Sequence, residues 1–404
     1  MNQKTIIAII ERLIAALSLI FVSPLLVAHG VKQRIAKKPI IKRDPMLRAN
    51  GNTTDVFSLH QRNTWSRVPM LWNVVTGDIA LVGTRPLPVG SYTGADDPLY
   101  QPGMFSLYDL RRISGLDFID EQQCNAEFAK NCCLRQRLAI VFRTLTAASM
   151  YRNKNPLRDC DAFNIFGVRI DNFSMDKTLA SIARDIFNDA GTSYLFANAH
   201  TLNQAYNDAI YRRTLNNADY LLPDGSGIEI ACRRSGIHRK GNINGTDLLP
   251  LLCEQMARKN QRLFMLGGEP GIADKAMKNM QKRVPTLVSA GCHHGFFDKE
   301  DCESLIARIN NSGADVLLVG LGQPIQEQWL AAHRDEITIP VAMAVGGLFD
   351  FYAEKVSRAP MWLRELGMEW VWRLKEEPSR MWKRYVIGNP LFLLRLQRNA
   401  GSAA

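Results

Sequence analysis

The chain has 404 residues, 46% hydrophobic and 22% charged, with 50 Lys and Arg against 39 Asp and Glu for a net charge of +11. That balance suits a globular protein of about two domains, and excludes intrinsic disorder, a collagen-like repeat and a membrane protein of many spans. The excess charge sits at the ends: residues 1–50 hold nine basic and two acidic side chains, residues 361–404 hold eight and four, and the 310 between are balanced.

Residues 13–30 form an almost wholly apolar run, about long enough to cross a bilayer core as a helix. Glu11 and Arg12 interrupt its extension backwards, and Pro24 predicts a kink in the middle. Lys32, Arg34, Lys37, Lys38, Lys42, Arg43 and Arg48 follow directly, so this flank is expected on the cytoplasmic side. A cleaved signal peptide fits poorly, because the charge lies behind the run and no clear Ala-x-Ala site follows. A buried core helix is the plainer alternative, but the terminal position beside a polybasic stretch favours a membrane anchor, spanning or re-entrant.

Residues 51–100 are rich in Gly, Pro, Asn and Thr, helical spacing returns over 134–150, and the polar stretch 151–162 with Pro156 reads as a linker. Asp159-Cys160-Asp161 in that linker spells a D-x-D metal pattern, for which chance is the better reading. The eight cysteines include adjacent Cys132 and Cys133 and no C-x-x-C pair, which predicts reduced thiols and no structural zinc.

From about residue 163 the texture changes. Apolar runs at 193–197, 220–222, 262–266, 286–290, 315–319 and 339–345 read as strands, with helices such as 248–259, 272–283, 301–311 and 326–333 between them. This alternation predicts an α/β fold, a Rossmann-like parallel sheet flanked by helices. Ligands of such sheets bind beyond the carboxyl ends of the strands. The loops there carry Asn198, Pro223-Asp224-Gly225, Gly267-Gly268, residues 291–297, the run 320–327 with Gln326, and Gly346-Gly347 with Asp350. Glycines at strand-to-helix turns suit a phosphate-bearing ligand, although none matches a dinucleotide or Walker pattern.

Asp224 is the leading candidate for a general base toward a hydroxyl, with a turn or capping aspartate as the plainer reading, and Asp350 shares the ambiguity. His293-His294 lacks a third ligand nearby, so a solvated turn is expected. Beyond residue 360, Trp362, Trp370, Trp372 and Trp382 interleave with Arg364, Arg373, Lys375, Arg380, Lys383 and Arg384. That mixture suits a helix lying in the headgroup layer as well as an ordinary surface helix. No nucleic-acid-binding module is recognisable.

The loops carry a resemblance. Phe-Gly-Val-Arg-Ile-Asp (166–171), Ala-Asp-Tyr-Leu-Leu-Pro-Asp-Gly-Ser-Gly (218–227), Asn-Gly-Thr-Asp-Leu (244–248), Leu-Phe-Met-Leu-Gly-Gly-Glu-Pro (263–270), Gly-Leu-Gly-Gln-Pro-Ile-Gln-Glu (320–327), Val-Gly-Gly-Leu-Phe-Asp (345–350), Arg-Ala-Pro (358–360) and Leu-Gly-Met-Glu-Trp-Val-Trp-Arg-Leu (366–374) resemble the WecG/TagA/CpsF glycosyltransferases in order and spacing. The resemblance implies an inverting, membrane-associated enzyme without an obligatory metal or other cofactor. It would move a sugar of N-acetylmannosamine, mannosaminuronate or glucose type from a UDP-sugar to a polyprenyl-diphosphate-linked saccharide in bacterial exopolysaccharide or surface-polysaccharide synthesis. It implies Asp224 as the base, with Asn198, Gly267, Gly268, Gln326 and Asp350 holding substrate. Arg373, Arg380 and Arg384 would complete the site from a basic appendage docked on membrane lipid at the cytoplasmic face of the inner membrane. Self-association into a homo-oligomer is also implied, and no nucleic-acid partner. Phe196 stands where relatives carry a threonine, and Asn242 where they carry an arginine before the G-x-D motif, so either Arg239 or Lys240 substitutes for that arginine or activity is reduced.

The N-terminal part is similar to a second family, the polyprenyl-phosphate sugar-1-phosphate transferases. The resemblance rests on Ser-Pro-Leu-Leu (23–26), Leu-Trp-Asn-Val-Val-Thr-Gly-Asp-Ile-Ala-Leu-Val-Gly-Thr-Arg-Pro (71–86) and Gln-Pro-Gly (101–103). Where that family has an Asp-Glu pair, this chain has Ser66 and Arg67, which cannot form an acyl phosphate. The expected organisation is a degenerate anchoring domain (1–150), a linker (151–162), a glycosyltransferase domain (163–360) and a membrane-docking appendage (361–404). A bifunctional enzyme with residual sugar-phosphate transfer and a non-enzymatic membrane scaffold are the alternatives.

Overall fold

A computed structural model describes residues 3–35, 37, 39–48, 52–59, 64–89, 100–116, 119–130, 133–150 and 157–398. Residues 151–156 of the expected linker, Lys38 and Cys132 lie outside the described residues. The chain divides into two compact units, Met1–Arg152 and Asn153–Ala404.

In the first unit a helix runs Gln3–Ile35, starting well before the expected break at Glu11 and Arg12. Glu11 does not interrupt it because its carboxylate is paired inside the unit. Arg137 lies 3.0 Å away, with the two side chains 4% and 7% exposed, and the Leu81 N–H donates to the other oxygen at 3.3 Å. The helix also continues through Pro24. Proline has no N–H for the Ile20 carbonyl four residues back, and the Ser23 hydroxyl donates to that carbonyl instead, at 2.8 Å. Leu13, Leu17, Ile20, Phe21, Leu25, Val27, Val31 and Ile35 point outward. By length and composition, Thr5–Ile35 is the one helix among the described residues able to cross a membrane.

The rest of the unit is an antiparallel ribbon, Ile41–Leu47 with Thr53–Leu59, a short parallel pair, Ala80–Val82 with Gly103–Phe105, and helices Met70–Thr76, Leu107–Ile113, Glu121–Lys130 and Leu134–Met150. The glycines of Val-Gly-Thr-Arg-Pro and Gln-Pro-Gly meet there. A Cβ on Gly83 would lie 2.0 Å from the Gln101 carbonyl, and one on Gly103 2.3 Å from the Gly83 nitrogen. Arg67 donates to Asp109 at 2.7 Å and to the Met104 carbonyl at 3.2 Å. Arg67 is thus held by an ion pair within its own unit.

The second unit opens with a hairpin, Ala162–Ile165 against Val168–Asp171, whose first strand starts inside the expected linker. Six strands follow: β1 Thr192–Ala197, β2 Tyr220–Pro223, β3 Arg262–Gly267, β4 Val288–His293, β5 Val316–Gly320 and β6 Val341–Ala344. They form one sheet in the order β4-β3-β5-β6-β1-β2, and every pairing is parallel. Side chains alternate between two cores, as a doubly covered sheet requires. Leu195 and Ala197 join Leu202, Tyr211 and Ile228 on one face, while Phe196 meets Leu248, Leu249 and Leu252 on the other. The strand expected at 286–290 is displaced to Val288–His293. As a partly exposed edge strand it carries no buried apolar run, and it bulges at Gly291 against the Phe264 ring.

The connection from β3 leads outward to β4, and that from β5 leads the opposite way to β6. Such a reversal makes a topological switch point, here between β3 and β5, where the Gly268 N–H donates to the Gly320 carbonyl at 3.2 Å.

Candidate active site

Asp224 follows β2, its N–H donating to the Ala197 carbonyl at the end of β1 (2.8 Å). The next residue, Gly225, has φ +84, a conformation that favours glycine, and it is held from both sides. Its N–H donates to Asn242 Oδ1 at 2.7 Å, and its carbonyl accepts from Arg239 at 2.9 Å. Arg239 is 4% exposed and paired with Glu229 at 2.7 Å. Asn242 thus shapes the turn that follows Asp224, and Arg239 is the buried cation behind it. Lys240 instead pairs with Asp161 at 2.8 Å, and Asp159 pairs with His238 at 2.9 Å. Both acids of the D-x-D pattern are engaged in these pairs.

Asp224 is half-buried, and its pKa is pushed from 3.8 to about 6. Burial is the main cause and the Glu369 carboxylate adds to it, against the opposing pull of Arg384, Arg239 and Arg373. A carboxylate tuned toward neutrality is suited to take a proton from a hydroxyl.

The cations come from the C-terminal helices. We denote Ala199–Asn207 α1, Ser226–Arg234 α2, Gly245–Ala257 α3, Ile325–His333 α4, Leu348–Tyr352 α5, Glu369–Glu376 α6 and Gly388–Arg398 α7. A Cβ on Gly347 would meet Arg373 Nη2 at 3.4 Å, Arg380 Nη2 at 3.5 Å and Asp350 Oδ2 at 3.6 Å, so these three groups converge on the loop after β6. Arg373 lies over the Phe351 ring and Arg384 over Tyr385. Burial, with Arg373 and Arg380 nearby, lowers the pKa of Arg384. The Nε atoms of Arg373 and Arg384 are buried without a hydrogen-bond partner. Closely spaced guanidinium groups with unmet donors suit a diphosphate.

The other expected site residues line the same edge. Asn198 caps α1, its Oδ1 accepting from the His200 and Thr201 N–H groups at 3.0 and 3.1 Å. Gln326 is fully buried. Its Oε1 accepts from Gly322 at 3.2 Å and Gly346 at 2.9 Å, lacing together the loops after β5 and β6. Gly267 has φ +145, and a Cβ there would lie 2.3 Å from the Gly320 carbonyl. Gly268 is similarly confined by Ile272. Gly267 is required where β3 and β5 approach, and Gly268, at φ +71, where the chain turns toward the helix that starts at Ile272.

Sequence reasoning passed over His200 and Glu369. His200 has its pKa lowered to about 4 by burial and by Arg384, so its ring is neutral at neutral pH. A helical histidine and a surface-type glutamate give no signal until distant arginines surround them. The His293 and His294 rings lie tilted to one another with centroids 4.4 Å apart, and no group of three potential metal ligands gathers among the described residues. The four tryptophans do not share one face. Trp362 and Trp382 are exposed, whereas Trp370 packs near Tyr385 and Trp372 donates to Ser357 Oγ at 3.0 Å.

Comparison with known proteins gives a consistent picture. The family described as Glycosyl transferase WecG/TagA/CpsF matches residues 163–403. The chain is 32% identical over 239 residues to a Staphylococcus aureus (strain MW2) protein named N-acetylglucosaminyldiphosphoundecaprenol N-acetyl-beta-D-mannosaminyltransferase, covering 58% of this chain and 92% of that one. Proteins of the same name from strains NCTC 8325 / PS 47 and COL match with the same identity and coverage.

Proposed function

This chain belongs to the WecG/TagA/CpsF family of glycosyl transferases, and on that premise we propose that it moves a sugar from a UDP-sugar to a polyprenyl-diphosphate-linked saccharide with inversion. The relatives' name, N-acetylglucosaminyldiphosphoundecaprenol N-acetyl-beta-D-mannosaminyltransferase, supports an N-acetylated hexosamine donor and a lipid-diphosphate acceptor. The observation that carries the reading is the Asp224 carboxylate, tuned to about 6 and faced by Arg373 and Arg384.

In this reading Asp224 accepts the proton of the acceptor hydroxyl as its oxygen attacks the anomeric carbon. The bond to the diphosphate breaks on the opposite face and UDP departs. Arg373, Arg380 and Arg384 stabilise the charge that develops on it, in fixed positions that need no reorganisation. Asn198, Gln326 and Asp350 act by holding the surrounding loops and the arginine cluster in place.

The first unit serves as the membrane-holding part at the cytoplasmic face. The outward apolar face of Gln3–Ile35 and the basic residues after it support this role. The Arg67–Asp109 pair supports a unit without sugar-phosphate transfer of its own. The exposed Trp362 and Trp382 beside basic residues support lipid contact by the appendage.

Nucleotide release by the membrane-embedded full chain, given a panel of UDP-sugars, tests the reading. UDP released only when a polyprenyl-diphosphate-linked acceptor is present is the expected result. UMP release with polyprenyl phosphate would instead assign chemistry to the first unit, and silence across the panel would leave a scaffold.

A further inference from the structure

The Asn-Gly-Thr-Asp turn (244–247) lies at the start of α3, and its aspartate is a buried junction rather than a cleft residue. Asn244 caps the helix, accepting from the Asp247 N–H at 2.9 Å, and its side-chain amide donates to Asp247 Oδ2 at 2.7 Å. The Asp247 side chain is 6% exposed and holds two guanidinium groups from beyond β6. Arg358 Nη2 lies 2.7 Å from Oδ1, and Arg364 Nη2 lies 2.9 Å from Oδ1 and 3.1 Å from Oδ2. Tyr352 adds a bond from its hydroxyl to the Thr246 carbonyl at 2.7 Å.

These arginines bracket the stretch that leads into α6, the helix that carries Arg373. Arg358 Nε also lies 3.9 Å from Glu369 in the first turn of that helix. Beside it, Ser357 Oγ donates to Glu376 at 2.9 Å. The far end of the appendage is pinned separately. Arg395 of α7 donates to the Asn203 carbonyl at 2.9 Å and to Asn207 at 2.9 Å on α1. Arg373, Arg380 and Arg384 lie between these two points in the chain, so their place at the strand ends depends on both.

We propose that Asp247 is the latch that seats the arginine-bearing appendage over the strand ends, a positioning residue that acts through Arg358 and Arg364 without touching substrate. A neutral side chain there leaves two half-to-fully buried guanidinium groups without their shared counter-charge, an arrangement that reorganises rather than persists. The expected effect on turnover rests on the functional reading above, whereas the expected effect on the appendage does not.

The test is Asp247→Asn in the full chain, followed by amide hydrogen exchange and by UDP release. Exchange over residues 361–387 should accelerate at least tenfold while β1–β6 keep their protection, and turnover at saturating substrates should fall at least tenfold. The double variant Arg358→Gln, Arg364→Gln should reproduce both effects, and adding Asp247→Asn to it should cost nothing further. Asp247→Glu, which keeps the carboxylate, should recover part of the protection. Unchanged exchange over 361–387, protection lost across the whole sheet, or additive losses in the triple variant would each overturn the latch. If the unmodified chain turns over no UDP-sugar, the functional reading fails and the exchange result still decides the latch.

Discussion

Asp224→Asn is expected to slow transfer severely and, at the same time, to make the second unit more stable at neutral pH. The carboxyl binds its proton more tightly in the folded chain, since its pKa rises from 3.8 to about 6. Its protonated form therefore stabilises the fold fully below about pH 4, and that contribution is lost as the pH rises through about 6. Each tenfold gain in proton affinity is worth about 1.4 kcal/mol, so the ionised group costs the folded state about 3 kcal/mol at most. Partial solvent access reduces this to about 2 kcal/mol. For a unit the size of Asn153–Ala404, that corresponds to a rise in Tm of about 4–8 °C on substitution. Asparagine has no ionised state to desolvate, so the gain should appear at pH 8 and vanish at pH 4. Turnover should fall about 10²–10⁴-fold, the range general-base catalysis supplies. Differential scanning calorimetry at both pH values, alongside UDP release, measures both arms. Retained turnover would remove Asp224 from the chemistry, and an unchanged or lowered Tm at pH 8 would refute the account of its burial.

Three further outcomes are expected. The pH profile of kcat/KM should lose activity on its acid side with a midpoint near 6, the pKa of Asp224; a midpoint near 4 would mean an ordinary solvated carboxylate. Gly267→Ala should destabilise the second unit by about 2–4 kcal/mol because its Cβ would lie 2.3 Å from the Gly320 carbonyl. Gly271→Ala, at φ +83 with open space around it, should cost only about 1 kcal/mol; equal losses in urea unfolding would contradict the packing argument. Arg137→Met should destabilise the first unit by about 3–5 kcal/mol by stranding Glu11 in the interior, and Glu11→Leu in the same chain should restore most of it. Thermal melts of the two detergent-solubilised variants decide this, and a double variant no better than the single one would count against the pair.

The sheet was legible because strands buried on both faces read as apolar runs, as in 263–266 and 317–319. Asp224 was legible because a Pro-Asp-Gly turn after such a run points at the strand ends. Edge strand β4 was misplaced, since exposure removes that signature and polar Cys292 and His293 extend it. The start of the first helix was misplaced because Glu11 is a helix-interrupting charge only until Arg137 is known to face it. Glu369 and Arg384 shape the electrostatics of Asp224 from about 150 residues away in the sequence. No local pattern encodes a neighbour brought by tertiary packing. The hydrogen bonds that tie Gln326 to Gly346 and Asn242 to Gly225 were hidden for the same reason: each partner is a backbone N–H of another loop.

The Glu11–Arg137 pair also sets an order of events during synthesis. The two residues are 126 positions apart, so at about 5–20 residues per second the ribosome makes the acid roughly 6–25 s before its partner. Throughout that interval the apolar helix carries an uncompensated carboxylate near its start, and burying that charge without a partner is costly. Water must remain its ligand until residues 134–150 emerge and coil. The Gln3–Ile35 helix is therefore made well before the helix that carries Arg137, and reaches its final surroundings only together with it.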